Sequence, residues 1–159
     1  MRPAVVLTSL LSLALSAEIG CCGPQASGGI DPEARRFVAK AREARATGQL
    51  EAALEEVERA LGLAPEEPVV WGERAKICFG LHTSIAAASR AGFERIGYLE
   101  DARFSLDKAL SLGSRDSELF ALRAGLQRRE GQFEEARGSA QKALELAIDR
   151  ATRLEALVE

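Results

Sequence analysis

Gly48-Gln49-Leu50-Glu51-Ala52-Ala53-Leu54, closed after a charged interval by Ala60-Leu61-Gly62-Leu63, is the stretch whose reading decides the fold. Its opening returns as Gly97-Tyr98-Leu99-Glu100-Asp101-Ala102-Arg103 and again as Gly131-Gln132-Phe133-Glu134-Glu135-Ala136-Arg137. Its close returns as Ala109-Leu110-Ser111-Leu112 and as Ala143-Leu144-Glu145-Leu146. The second and third copies begin 34 residues apart; the first and second begin 49 apart, one such period plus 15. A period of this length belongs to helix–turn–helix units, which bury their apolar faces only by stacking on one another. Apolar residues recur at helical spacing and show almost no strand-like alternation, so the expectation is an all-α array.

On these residues the chain resembles the tetratricopeptide repeat family. The resemblance implies antiparallel helical hairpins stacked into a superhelical array over residues 31–159. Its units would be about 34–67, 68–116 with an insertion, and 117–150, with a capping helix over 151–159. Asp31-Pro32-Glu33 supplies a helix N-cap, a proline in the first turn and an acid against the helix dipole. Gly48 is the left-handed residue expected to end the first helix, and Pro65 closes the unit. In this family small residues sit where paired helices touch, which assigns that role to Ala41, Ala53 and Ala60. The last unit repeats the layout through Phe120, Ala124, Gly131, Phe133, Ala136 and Ala140. Its closing proline is replaced by Ile148-Asp149.

The 15 additional residues lie between Lys76 and Tyr98. They amount to about four helical turns, so one extended helix, bent near Gly80, keeps the phase and is the simpler expectation. A break at Gly80 with a new first helix over 83–96 keeps it equally well. Ile77, Leu81, Ile85, Ala88 and Ile96 form one apolar stripe of this segment. Phe79 and Phe93 fall off the stripe and nearly share a second face. With His82 they form a candidate contact surface for a partner or a second copy of the chain.

Residues 1–20 have a different composition. Arg2 precedes a charge-free apolar run from Ala4 to Ala17, whose 14 residues are too few for a bilayer-spanning helix of roughly 20. The run suits the apolar region of a secretory signal peptide. Gly20-Cys21 then resembles the cleavage point of bacterial lipoproteins, although Glu18 stands where that family usually has Leu. The resemblance implies that Cys21 receives the lipid, and that the absence of Asp at position 22 directs sorting to the outer membrane, facing the periplasm. Cleavage after Ala17, giving a soluble periplasmic or secreted protein, is the alternative. Residues 21–30 read as a flexible tether rich in Gly, Ser and Pro.

Composition excludes more than it assigns. A formal charge of −3 gives no case for nucleic acid or for an anionic membrane surface. Three cysteines, two of them adjacent, make neither a disulfide framework nor a metal or haem spacing. His82 is the single histidine and has no nucleophile or ligand partner at a working spacing. The glutamate pairs sit on outward helix faces, and no phosphate loop exists. No catalytic residue, metal or cofactor is therefore expected.

In the tetratricopeptide family the concave surface is lined by the first helix of each unit. Carried over, it would be lined by Arg35, Val38, Arg42 and Arg45 from the first unit and by Lys76 and Phe79 from the second. The last unit would add Glu118, Ala121, Arg128 and Arg129. The expectation is a basic groove on an acidic protein, lined further by His82 and Phe93, that binds an acidic protein or peptide. The function that follows is a non-catalytic scaffold in the envelope, in the manner of assembly factors or pilotins. A secreted self-associating repeat protein is the alternative reading, with an enzyme of helical fold behind it.

Overall fold

The computed structural model describes residues 29–87 and 92–155, with side chains at 29–84 and 97–151. Cys21, most of the 21–30 tether, the Phe93 side chain and residues 156–159 lie outside the described residues. Within the described residues the chain forms six α-helices and no strand. They are α1 (Pro32–Ala46), α2 (Leu50–Leu63), α3 (Pro68–Ala87), α4 (Gly92–Ser111), α5 (Ser117–Arg129) and α6 (Phe133–Glu155). Consecutive helices pair as three antiparallel hairpins, α1 with α2, α3 with α4 and α5 with α6.

Local chemistry accounts for the ends. Asp31 accepts from the Glu33 and Ala34 amides at 2.8 and 3.1 Å, which satisfies two orphan donors of α1. Asp116 does the same for α5 through the Glu118 amide at 3.0 Å. Gly48 adopts φ +78° and Gly131 φ +79°, and each is followed by a residue whose amide reaches back five positions (Gln49 to Ala44, 2.8 Å; Gln132 to Gln127, 3.0 Å). This left-handed stop turns the chain tightly enough for an antiparallel partner. Gly113, at φ +86°, ends α4 in the same way. Gly97, the sequence counterpart of Gly48, is instead interior to α4, so the second echo keeps the helix register without the turn.

The insertion therefore does not make one long helix. It is shared between both arms of the second hairpin, each 20 residues long. Nor does the helix break at Gly80, since α3 continues through it to Ala87. A Cβ at Gly80 would lie 3.3 Å from both Leu50 methyls, so this glycine admits a neighbouring side chain rather than a turn. At the far end, residues 151–155 continue α6 instead of forming a separate cap. No glycine or proline stands near Ile148-Asp149 to stop it.

Helix α3 is the centre of the stack and packs against α1, α2, α4 and α5. It carries a single acid, Glu73, and is otherwise apolar on most sides, as a helix covered all round must be. One core joins Ala34, Val38, Ala41, Val57, Val70 and Ile77 across α1 to α3. A second joins Ala75, Leu106, Leu119 and Leu126 across α3 to α5, with Trp71 and Phe79 packed on it. Ala41, Ala53 and Ala60 are completely buried at the first hairpin contact, as their small size allows.

Candidate protein-binding groove

The concave side places the C-terminal end of α1 beside the middle of α3 and the N-terminus of α5. A cleft of about 530 Å³ opens there, bounded by Arg42, Arg45, Glu73, Lys76, Asp116 and Glu118. The extra turns of α6 form its far wall through Leu146, Asp149 and Arg150, and Arg115 stands at the α4–α5 corner. The helix that lacks a closing proline is thus the helix that deepens the cleft.

Glu73 organises the floor, with its side chain only 3 % exposed. Its Oε1 accepts from Arg42 Nε at 2.8 Å and lies 3.6 Å from Lys76 Nζ. Its Oε2 lies 3.5 Å from Arg45 Nε, close enough for an ion pair but without hydrogen-bond geometry. Lys76 in turn donates to Asp116 Oδ2 at 2.6 Å and pairs with Glu118 Oε2 at 2.6 Å. Burial works against the Lys76 ammonium, yet the bonds to Asp116 and Glu118 and the charge of Glu73 outweigh it. Its pKa is held above the ordinary lysine value. Burial likewise opposes the Asp116 carboxylate, but the Lys76 bond and the Glu118 amide hold its pKa below the ordinary value.

The groove residues expected from sequence do not share one site. Arg42, Arg45, Lys76 and Glu118 meet in this cleft. Phe79, His82 and Arg129 form a second group nearer the C-terminal end of α3. There the Phe79 and His82 rings stack at 6.2 Å, the Arg129 guanidinium sits 5.4 Å over Phe79, and its Nη1 is 3.4 Å from His82 Nε2. His82 is 7 % exposed and Phe79 packs on the second core, so α5 covers much of the surface that these residues were expected to offer. Ala121 and Arg128 lie elsewhere, on the outer face shared by α5 and α6. Arg35 is exposed on α1, and Val38 is a core residue at 3 % exposure rather than a groove residue.

The cleft is also less basic than expected. Arg42, Arg45, Lys76, Arg115 and Arg150 are interleaved with Glu73, Asp116, Glu118 and Asp149. Glu73 and Asp116 were missed because each comes from a helix, or a helix cap, read only for its cations. A lone acid on an apolar helix was the available signal for Glu73. Arg74, on the same helix, was missed because it faces α2 and α4 rather than the groove. Its guanidinium ties three helices together through Glu58 Oε1 at 2.6 Å and Ser105 Oγ at 2.7 Å. Among the described residues no group of His, Cys, Asp and Glu is arranged to hold a metal ion. Among them, too, no helix is long and apolar enough to cross a membrane.

Stacked antiparallel hairpins with a charged cleft across their first helices define a helical-repeat scaffold for protein–protein interaction. Comparison with known families is in keeping: residues 34–67, the first hairpin and its closing turn, match the tetratricopeptide repeat. Comparison with curated proteins finds no match.

Proposed function

We propose that the chain is a non-catalytic scaffold of the bacterial envelope that holds a protein or peptide partner in the cleft between α1, α3 and α5. In this reading the leader at 1–20 exports it, and a lipid on Cys21 anchors it to the outer membrane, facing the periplasm. A role in assembling an envelope machine, as pilotins have, fits an anchored scaffold. The observation that carries the binding site is the cleft, whose buried Glu73 fixes three cations in place before any partner arrives. Groups held in position lose little entropy on binding, which favours affinity. Arg115 and Arg150 line the cleft, Arg150 close enough to Asp116 to act on its charge, and acidic side chains of the partner would meet both arginines.

The test is crosslinking and pull-down from envelopes with the intact lipoprotein, beside Arg115→Glu/Arg150→Glu and Cys21→Ser. The expected result is specific capture that the double reversal loses, and release from membranes with loss of lipid labelling in Cys21→Ser. Equal capture by wild type and double reversal would overturn the groove assignment. Unchanged fractionation with no lipid on the native protein would favour plain secretion after Ala17.

A further inference from the structure

The outer face of the last hairpin carries an apolar cleft whose counterpart in the first hairpin lies under α3. Adding 83 to a residue of the first hairpin gives its equivalent in the third, as Gly48 gives Gly131. The apolar cleft of about 480 Å³ on α5 and α6 is lined by Ala124, Ala136, Ala140, Ala143 and Phe133, with Arg128 and Arg137 at its rim. Under this rule the first four answer to Ala41, Ala53, Val57 and Ala60, all completely buried in the first hairpin. Phe133 answers to Leu50, which packs into the first core against Gly80, whereas Phe133 is 67 % exposed.

The α1–α2 contact buries part of the first set, and α3 packs over the rest. Its docking stripe is Val70, Glu73, Ile77 and Gly80-Leu81, spaced as one face of a helix. The charge on that stripe has a partial counterpart: Glu73 bonds Arg42 and lies 3.5 Å from Arg45, and of their equivalents, Gly125 and Arg128, only Arg128 keeps the cation. Arg128 has no ion-pair partner among the described residues, nor has Arg137 beside it. Within those residues no helix covers this face, because residues 151–155 prolong α6 rather than folding back.

We propose that the α5–α6 face binds an amphipathic helix of a partner protein, one that carries a carboxylate to meet Arg128 and a small residue to admit Phe133. A second copy of this chain fits less well. The first helix available for stacking is α1, and its equivalent of Glu73, 34 residues earlier, is Ala39. A head-to-tail copy would leave Arg128 without its carboxylate.

The probe is a fluorescent synthetic peptide with the sequence of residues 68–83, whose stripe is known to fit the equivalent face. It is titrated against the full mature chain by anisotropy. Expected is saturable binding, weakened at least about tenfold by Ala140→Glu in the cleft or by Arg128→Glu at its rim. Both positions are exposed, so circular dichroism and melting should stay near wild type. The deciding arm is charge exchange, in which a peptide with Glu73→Lys binds Arg128→Glu better than it binds wild type. No binding to the full chain, binding indifferent to both substitutions, or failure of the exchange would each overturn the proposal. So would a concentration-dependent dimer in sedimentation that Ala140→Glu abolishes, which would assign the face to a second copy.

Discussion

Arg42 on α1 donates its Nε proton to Oε1 of Glu73 on α3 over 2.8 Å, across the boundary between the first two hairpins. The two ends of this bond differ sharply, with Arg42 half exposed and Glu73 at 3 %. Such an acid is stable only because cations surround it, and those cations are the ones aligned along the cleft. Stability of the stack and presentation of the groove are therefore coupled at one carboxylate.

Replacing Glu73 by Gln keeps the shape and removes the charge that Arg42, Arg45 and Lys76 share. The expected loss is about 1–3 kcal/mol, the range for charged hydrogen bonds and for leaving buried groups unsatisfied. Chemical denaturation should show a lower midpoint with an unchanged slope. Glu118→Gln, at an exposed partner of Lys76, should cost less than about 1 kcal/mol. Equal losses for the two would mean that burial of Glu73 does not set its importance.

The Asp116–Lys76 bond sets the pH range of the stack. The folded pKa of Asp116 lies below 3.8, so its contribution is present at neutral pH and is lost as pH falls through that folded value. The folded pKa of Lys76 lies above 10.5, so its contribution is present below 10.5 and is lost as pH rises through the higher folded value. Asp116→Asn should lower the plateau by about 0.5–1.5 kcal/mol and flatten the acid limb. Melting temperatures measured from about pH 2 to 7, well below and above the ordinary carboxylate value, check it. An acid limb as steep as that of wild type would show that other carboxylates carry it.

Two glycine substitutions should have opposite signs although both sites are helical. At Gly72 a Cβ would lie 3.0 Å from a Leu119 methyl, and Leu119 is 1 % exposed with no room to retreat. Gly72→Ala should destabilise by about 1 kcal/mol or more as the α3–α5 contact is overpacked. At Gly138 nothing lies within 4 Å, so alanine should stabilise by about 0.5–1 kcal/mol through helix propensity. Thermal unfolding of both variants measures the difference directly.

Cys78 is fully buried, and that burial pushes its thiol up to about 11. The thiolate is the reactive form, so alkylation at Cys78 should be negligible in the native protein near neutral pH. Adding denaturant should make it fast. Because the folded pKa is raised from 9.0, stability should begin to fall as pH rises past that value. Iodoacetamide labelling followed by peptide mass spectrometry reads this site apart from the other cysteines. Rapid native labelling would show that α3 opens locally.

Much of this fold was legible as pattern. Ala41, Ala53 and Ala60 declare helix contacts, Gly48 and Gly131 declare tight turns, and Asp31 declares a helix start, because each acts within a few residues of itself. The spacing of the repeats then implied stacking. The same reasoning misread the insertion, since phase alone cannot distinguish one helix lengthened by 15 residues from two helices lengthened together. What decides is which arrangement buries both sides of α3, and that depends on α4 and α5.

The groove shows the same division. Local sequence placed Arg42, Arg45 and Lys76 on first helices, where they were found. Only the tertiary structure brought Glu73 beneath them, set Asp116 and Glu118 on Lys76, and sent Arg128 to another face. It also buried His82 and much of Phe79 under α5, and carried α6 onward to wall the cleft. Helix starts, stops and contact faces follow from interactions within a turn or two, so the chain writes them locally. Ion pairs between residues 31 to 40 positions apart depend on how the hairpins are stacked, and that geometry exists only once the cores have packed.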